Sequence, residues 1–215
     1  MEIFKKMRKL CFLIFVLFLA FFPMQVNAST LAIGKKAYRL GDFDKAFQIF
    51  ASLAQEGNAS AQYGLGIMYD EGKGVPQDYK EAVKWKTKSA EQGIVYAQSD
   101  LGVMYKNGLG VPQDYKEAIK WYRRAAEQNY IEAQRNLGII YWDTKSGAFN
   151  LAQSYMWLNL AAAQGDELAK KEISNQLKIG YSSDFIVDGQ KLIRLWKIKK
   201  ELFEKWESTN QASEP

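Results

Sequence analysis

One stretch of this chain is written twice, and that repetition limits what the chain can become. Ala61 to Tyr96 reads AQYGLGIMYDEGKGVPQDYKEAVKWKTKSAEQGIVY, and Ala97 to Glu132 reads AQSDLGVMYKNGLGVPQDYKEAIKWYRRAAEQNYIE. The offset is 36 residues, and more than half of the positions are identical. A period of this length marks stacked structural repeats, in which no unit buries its apolar face alone and each relies on its neighbours.

The physics of one repeat is legible. Ala61, Leu65 and Tyr69 recur at four-residue spacing, which is one face of a helix. Gly72 and Gly74 suit the positive φ that ends a helix, and Val75 and Pro76 lead out of the loop. Asp78 then caps a second helix, and Glu81 three residues on gives the capping-box pattern. Ala82, Trp85 and Ala90 lie on its inward face, and Gly93 stops it. The matching positions in the next copy are Leu101, Tyr105, Gly108, Asp114 and Trp121.

The register extends in both directions. Second-helix caps fall at Asp42, Asp78, Asp114 and Asn150, and stops at Gly57, Gly93, Asn129 and Gly165. The inward small residue runs Ala54, Ala90, Ala126, Ala162, and the inward large residue Ile49, Trp85, Trp121, Trp157. Residues 29–58 therefore form a shorter hairpin, and 61–96, 97–132 and 133–168 three full repeats. The third keeps Leu137, Gly138 and Tyr141 but replaces the glycine loop by Thr144-Lys145-Ser146-Gly147 at unchanged length. Residues 169–207 continue as capping helices. Ile173, Ser174 and Leu177 take the Leu, small and Tyr places, and Gly180 is a stop. A long helix follows from Asp184 to Glu207, with Leu192, Leu195, Trp196, Leu202, Phe203 and Trp206 as one apolar stripe. Residues 208–215 read as a polar, disordered tail.

The run LGxMYxxGxGVPQDYKEAxKWxxxxAEQ resembles the Sel1-like repeat, a relative of the tetratricopeptide repeat. The resemblance implies an all-α fold, a right-handed α-solenoid of helix hairpins closed by a C-terminal capping helix. It also implies a scaffold that binds proteins.

Residues 1–28 are of another kind. Lys5, Lys6, Arg8 and Lys9 precede an unbroken apolar run from Leu10 to Phe22, and Val26 and Ala28 supply small residues for a signal peptidase. The run is shorter than the ~20 residues of a spanning helix, and Pro23 ends it. This arrangement reads as a signal peptide cleaved after Ala28, in a protein exported to the periplasm or secreted; a retained anchor is the alternative. Cleavage removes four cations and one carboxylate, so the formal charge falls from +5 to +2. No basic stripe for nucleic acid remains. The single cysteine, Cys11, leaves with the leader.

Catalysis has little to work with. The chain has no His, the commonest general base and metal ligand, and the GxGVP segments lack the strand context and Lys-Ser/Thr of a phosphate loop. The expectation is a non-enzyme with no cofactor and no metal site. Carboxylates and aromatics that recur with the period read as caps and interior ladder. Positions that vary between repeats are the candidate surface: Tyr63, Ser99 and Arg135; Asp70, Lys106 and Trp142; Glu71, Asn107 and Asp143. By resemblance to tetratricopeptide arrays these line a concave groove, where a protein or peptide partner would lie. Of these, Tyr63, Asp70, Glu71, Lys106, Asn107, Arg135, Trp142 and Asp143 are the candidate partner-binding residues. The resemblance leaves room for two other roles. One is β-lactam binding or hydrolysis, described for cysteine-rich members whose disulfides this chain lacks. The other is binding of a host factor of the secretory immunoglobulin A type.

The leader reading has a direct test. Intact-mass measurement of the exported protein should give a chain beginning at Ser29, and a mass that still includes residues 1–28 refutes it.

Overall fold

The computed structural model describes residues 28–178 and 184–211, without the side chains of 184, 185, 199 and 202–211. The expected leader up to Asn27, the stop at Gly180 and the side chains of Leu202, Phe203 and Trp206 lie outside the described residues. Among the described residues all regular structure is helical. A helix α1 runs through residues 28–39. It is followed by α2 (Phe43–Gln55), α3 (Ala59–Glu71), α4 (Tyr79–Glu91), α5 (Val95–Asn107), α6 (Tyr115–Glu127) and α7 (Ile131–Trp142). A 3-10 turn at Thr144–Ser146 then leads to α8 (Leu151–Ala163), α9 (Glu167–Lys178) and α10 (Asp184–Gln211). The chain divides into two units, one up to Ile94 and one from Val95 onward. Each is a set of helices packed in consecutive pairs, the architecture of an α-solenoid.

The hairpins α3–α4, α5–α6 and α7–α8 share one packing device. Gly66, Gly102 and Gly138 occupy the same place in the three first helices, and each faces the second helix across bare backbone. A Cβ at these positions would stand 2.7 Å from Lys86 Cγ, 2.5 Å from Tyr122 Cδ1 and 2.5 Å from Leu158 Cγ. The glycines are thus required by close approach, not by backbone angle.

The loops are held by a hydrogen bond that recurs with the period. The amide of each cap residue donates to the carbonyl of the tyrosine nine residues earlier: Asp78 to Tyr69 at 2.9 Å, Asp114 to Tyr105 at 2.9 Å, Asn150 to Tyr141 at 2.8 Å. The cap side chains work as expected. Asp78 Oδ1 accepts from the amides of Lys80 and Glu81 at 2.9 and 3.1 Å, and Asn150 Oδ1 from Gln153 at 2.9 Å. The reciprocal half of the capping box does not form, because the cap amide is already bound to tyrosine. Glu81 and Glu117 instead pair with Lys84 and Lys120 at 2.9 and 3.0 Å. The third repeat keeps the same tyrosine bond without the glycine loop: Asp143 caps the 3-10 turn, and Gly147 at φ 66° turns the chain back. The expected helix stops Gly57, Gly93, Asn129 and Gly165 all have positive φ, and Asn129, at 64°, is the sole non-glycine among the described residues to do so.

The interior departs from the expected ladder in the first unit. Trp121 and Trp157 are buried, and Ile49 and Trp85 only half-buried. The fully buried place belongs to the next residue along: Lys86, Tyr122 and Leu158, which fill the glycine slots. Ala54, Ala90 and Ala126 are buried, whereas Ala162 in α8 is only half-buried. Of the tyrosine ladder, Tyr141 is buried, and Tyr69 and Tyr105 are half-buried. A glutamine ladder runs alongside. Gln62 and Gln134 are buried and donate to the carbonyls of Ala54 and Ala126 at 3.2 Å. Gln62, Gln98 and Gln134 each accept from the glutamine thirty residues later, Gln92, Gln128 and Gln164, at 2.7–2.8 Å. Burying an amide is costly unless it is paired, and the repeat supplies both partners.

The C-terminal end changes the pattern. On α9, Ala169 and Gln176 are buried, Ile173 is half-buried, and Ser174 and Leu177 are exposed. Gln176 bonds the hydroxyl of Ser154 at 3.1 Å. The following helix α10 packs on α8, lying close where Gly189 faces the Tyr155 ring and the Ala152 carbonyl. It seats Leu192, Ile193 and Trp196 on the core, with Trp196 edge-on to Trp157 at 6.2 Å. It runs to Gln211, and no Gly or Pro interrupts the chain between Gly189 and Pro215.

The glycine slot predicts a specific sensitivity. Gly138→Ala should lower stability by about 1–3 kcal/mol, the usual cost of overpacking, while Ser174→Ala, at an exposed position of α9, should stay within about 0.5 kcal/mol. Urea unfolding of the two variants checks this.

Candidate partner-binding surface

Seven of the eight candidate positions fall on the first helices, chiefly at their C-terminal ends, and Asp143 directly follows α7. In the first unit, Tyr63 is half-buried on α3. Asp70 is half-buried, and its carboxylate takes the amine of Lys86, 2% exposed, at 2.5 Å. Glu71 is exposed; it accepts the Tyr38 hydroxyl and pairs with Lys73 at 2.8 Å. Burial pushes the Glu71 carboxyl up, but hydrogen bonds from Lys73 and Tyr38 outweigh it and hold the group below its ordinary range. The Tyr38 phenol is raised, by burial first and then by the Glu71 carboxylate. The Lys73 amine stands 5.2 Å from the Tyr38 ring centre and 5.6 Å from that of Phe43. The end of α3 is therefore tied to α1 and to its own loop.

In the second unit, Lys106 is half-buried and Asn107 exposed. The Gln113 amide donates to the Lys106 carbonyl at 2.7 Å, closing the end of α5. Arg135 forms an ion pair with Asp166, which is 5% exposed and whose other oxygen caps α9 at Ala169 N, 2.9 Å away. Trp142 is half-buried, its ring 6.3 Å from that of exposed Phe149. Asp143 accepts from Lys145 N at 2.9 Å, and its carbonyl takes the Ser146 hydroxyl at 2.6 Å. Arg135 and Trp142 share a face of α7, but their side chains go to different neighbours.

This geometry separates two sources of variation between repeats. Asp70, Lys106 and Trp142 change in step with the buried series Lys86, Tyr122 and Leu158. Arg135 appears where Asp166 replaces the Ile94 and Tyr130 of the earlier copies. Some variation thus follows interior pairing, and the rest follows the surface. The variation series also left out two residues that the fold exposes in the second unit. Tyr96 is exposed, with its ring 5.4 Å from Tyr130 and perpendicular to it, and Phe149 stands beside Trp142. The Tyr130 phenol is raised by burial, with the carboxylates of Glu132 and Asp100 adding to it. The signal was present in the unequal series Ser60, Tyr96, Glu132. On the second helices, cations cover the tryptophans: Lys88 lies 4.5 Å from the Trp85 ring centre, and Arg124 4.7 Å from that of Trp121. Among the described residues no group of His, Cys, Asp and Glu is placed to hold a metal ion.

Comparison with known proteins places the architecture. The Sel1 repeat family matches residues 59–94, 95–130 and 131–166. The chain belongs to the Sel1 repeat family. Among solved structures it is similar to a Sel1 repeat protein from Oxalobacter formigenes, at 33% identity and TM-score 0.62, over 66% of this chain and 58% of that one. It is also similar to c5321, a protective antigen present in uropathogenic Escherichia coli strains, at 30% identity and TM-score 0.68, over 79% of this chain and 39% of that one. Among curated proteins, DAP3-binding cell death enhancer 1 is 32% identical in Rattus norvegicus and 31% in Mus musculus, each over 62 residues. The match spans 29% of this chain and 12% of those relatives. Sel1 repeats generally serve as protein–protein interaction scaffolds.

Arg135 shows how the two kinds of candidate differ in practice. Arg135→Ala leaves a buried carboxylate short of its partner, so it should lower stability by about 1–3 kcal/mol. Asn107→Ala, on an exposed side chain, should stay within about 0.5 kcal/mol. Thermal unfolding of both variants measures the difference.

Proposed function

We propose that this protein is a non-enzymatic scaffold whose first-helix face receives an extended segment of a protein partner, outside the cytoplasm. The observation that carries the reading is the Trp142–Phe149 pair at the end of α7. At the position of Trp142 the other repeats carry Asp70 and Lys106, and at that of Phe149 they carry Gln77 and Gln113, so this copy presents two adjacent aromatic rings where they have none. Tryptophan is among the residues most enriched at binding hot spots, and repeat arrays use the face of their first helices as an extended binding surface. Asn107 and Lys106 lie at the matching end of α5, and Tyr96 nearer its start. The export part of the reading rests on the basic, apolar and small-residue order of the leader. The non-catalytic part rests on the chain's lack of His and on residues that recur for capping and packing.

The test separates binding from folding. Trp142→Ala with Phe149→Ala should keep the melting temperature near that of the parent, because both rings lie at the periphery of the core. Loss of a true hot spot costs at least ~2 kcal/mol, about thirtyfold in affinity. The double variant should therefore release the partner that the parent retains from envelope extract, and a photo-cross-linker at Asn107 should label that same partner. Retention by the double variant refutes the first-helix surface.

A further inference from the structure

Helix α10 has two faces, and only one is used by the fold. Gly189, Leu192, Ile193 and Trp196 face α8 and the core. On the opposite side, at spacings of four, seven, eight and eleven residues, stand Val187, Lys191, Arg194, Leu195 and Ile198. Val187 is 59% exposed, Leu195 53% and Ile198 51%, and Lys191, Arg194 and Lys197 are exposed as well. Between Ile186 and Glu201 the sequence carries Lys191, Arg194, Lys197, Lys199 and Lys200 against two carboxylates, Asp188 and Glu201. The Lys200 amine lies 5.5 Å from the Trp196 ring centre, at the edge of the packed side.

We propose that this outward face of α10 rests on a membrane surface rich in anionic lipid. The chemistry is that of an interfacial helix. Aliphatic side chains enter the boundary between headgroups and acyl chains, while lysine and arginine keep their stems in the apolar layer and their charges among the headgroups. Charge decides between the possible occupants. A second copy of this face would set Lys191 and Arg194 against their own counterparts, whereas an anionic leaflet attracts each cation near it. The helix lies on the surface and does not cross it: among the described residues no helix is long and apolar enough to span a membrane. The contact is independent of the partner surface on the first helices.

The experiment uses the full chain with Cys11→Ser and Ile198→Cys, labelled at position 198 with an environment-sensitive fluorophore. The label reports on α10 alone, so membrane binding through the apolar run near Leu10 leaves it unmoved. Vesicles of phosphatidylcholine mixed with phosphatidylglycerol should shift its emission to the blue. Vesicles of phosphatidylcholine alone should not, and high salt should reverse the shift. Lys191→Gln with Arg194→Gln should weaken partitioning about thirtyfold at an unchanged melting temperature. No shift with anionic vesicles overturns the proposal, and so does an equal shift with neutral ones. A lipid-free shift that grows with protein concentration also overturns it, because a second copy then covers the face.

Discussion

The architecture depends on how near the second helix of a hairpin can come to the first. At Gly66, Gly102 and Gly138 the first helix offers only backbone, and Lys86, Tyr122 and Leu158 lie directly on it. Any β-carbon there would enter the neighbour's side chain or force the helices apart. Close approach also sets the reach of the connecting loop. Once the helices touch, the cap residue of the second helix falls within hydrogen-bonding distance of the tyrosine carbonyl that ends the first, and that bond recurs in all three repeats.

From this constraint follows a division between what the repeat keeps and what it varies. The caps, the tyrosine carbonyls, the slot glycines and the paired glutamines hold the hairpins: the glycines by letting the helices touch, the others by pairing backbone or amide groups. The residue that fills the slot is free to change as long as its surroundings accommodate it. Lysine fills it in one copy, and there Asp70 supplies the carboxylate without which a buried amine would be prohibitively costly. Tyrosine and leucine fill it in the others, and burial lifts the Tyr122 phenol far above its ordinary range, with Asp100 adding to the effect. The variable end of the first helix is therefore partly a record of the interior and partly a surface on which a partner could be read.

Trp142, the tyrosines of α5 and α7, and the cation-covered tryptophans of the second helices lie on helices that recur in every copy, and Phe149 stands in the loop before α8. The scaffold presents different side chains at equivalent points, and this lets one fold serve many partners. The terminal helix extends the principle: packed on one side only, it offers its other side to something outside the chain.

The sequence by itself determined the period, the helix pairs, the cap and stop positions and the all-α class, because each rests on local rules: spacing along one helix, the φ preference of Gly and Asn, and capping by Asp. It also exposed the first-helix ends as the place where copies differ. Tertiary structure alone decided which residues fill the interior. One-residue differences on a helix separate Lys86 from Trp85 and Gln176 from Leu177, and they turn on the neighbour each side chain meets and not on its own polarity. A lysine reads as surface until Asp70 is seen beside it, and Arg135 reads as an unpaired surface cation until Asp166 is found under it. The capping box failed for the same reason. The amide that Glu81 would have taken was already bound to Tyr69 by a contact nine residues back, and sequence spacing alone does not reveal that competition.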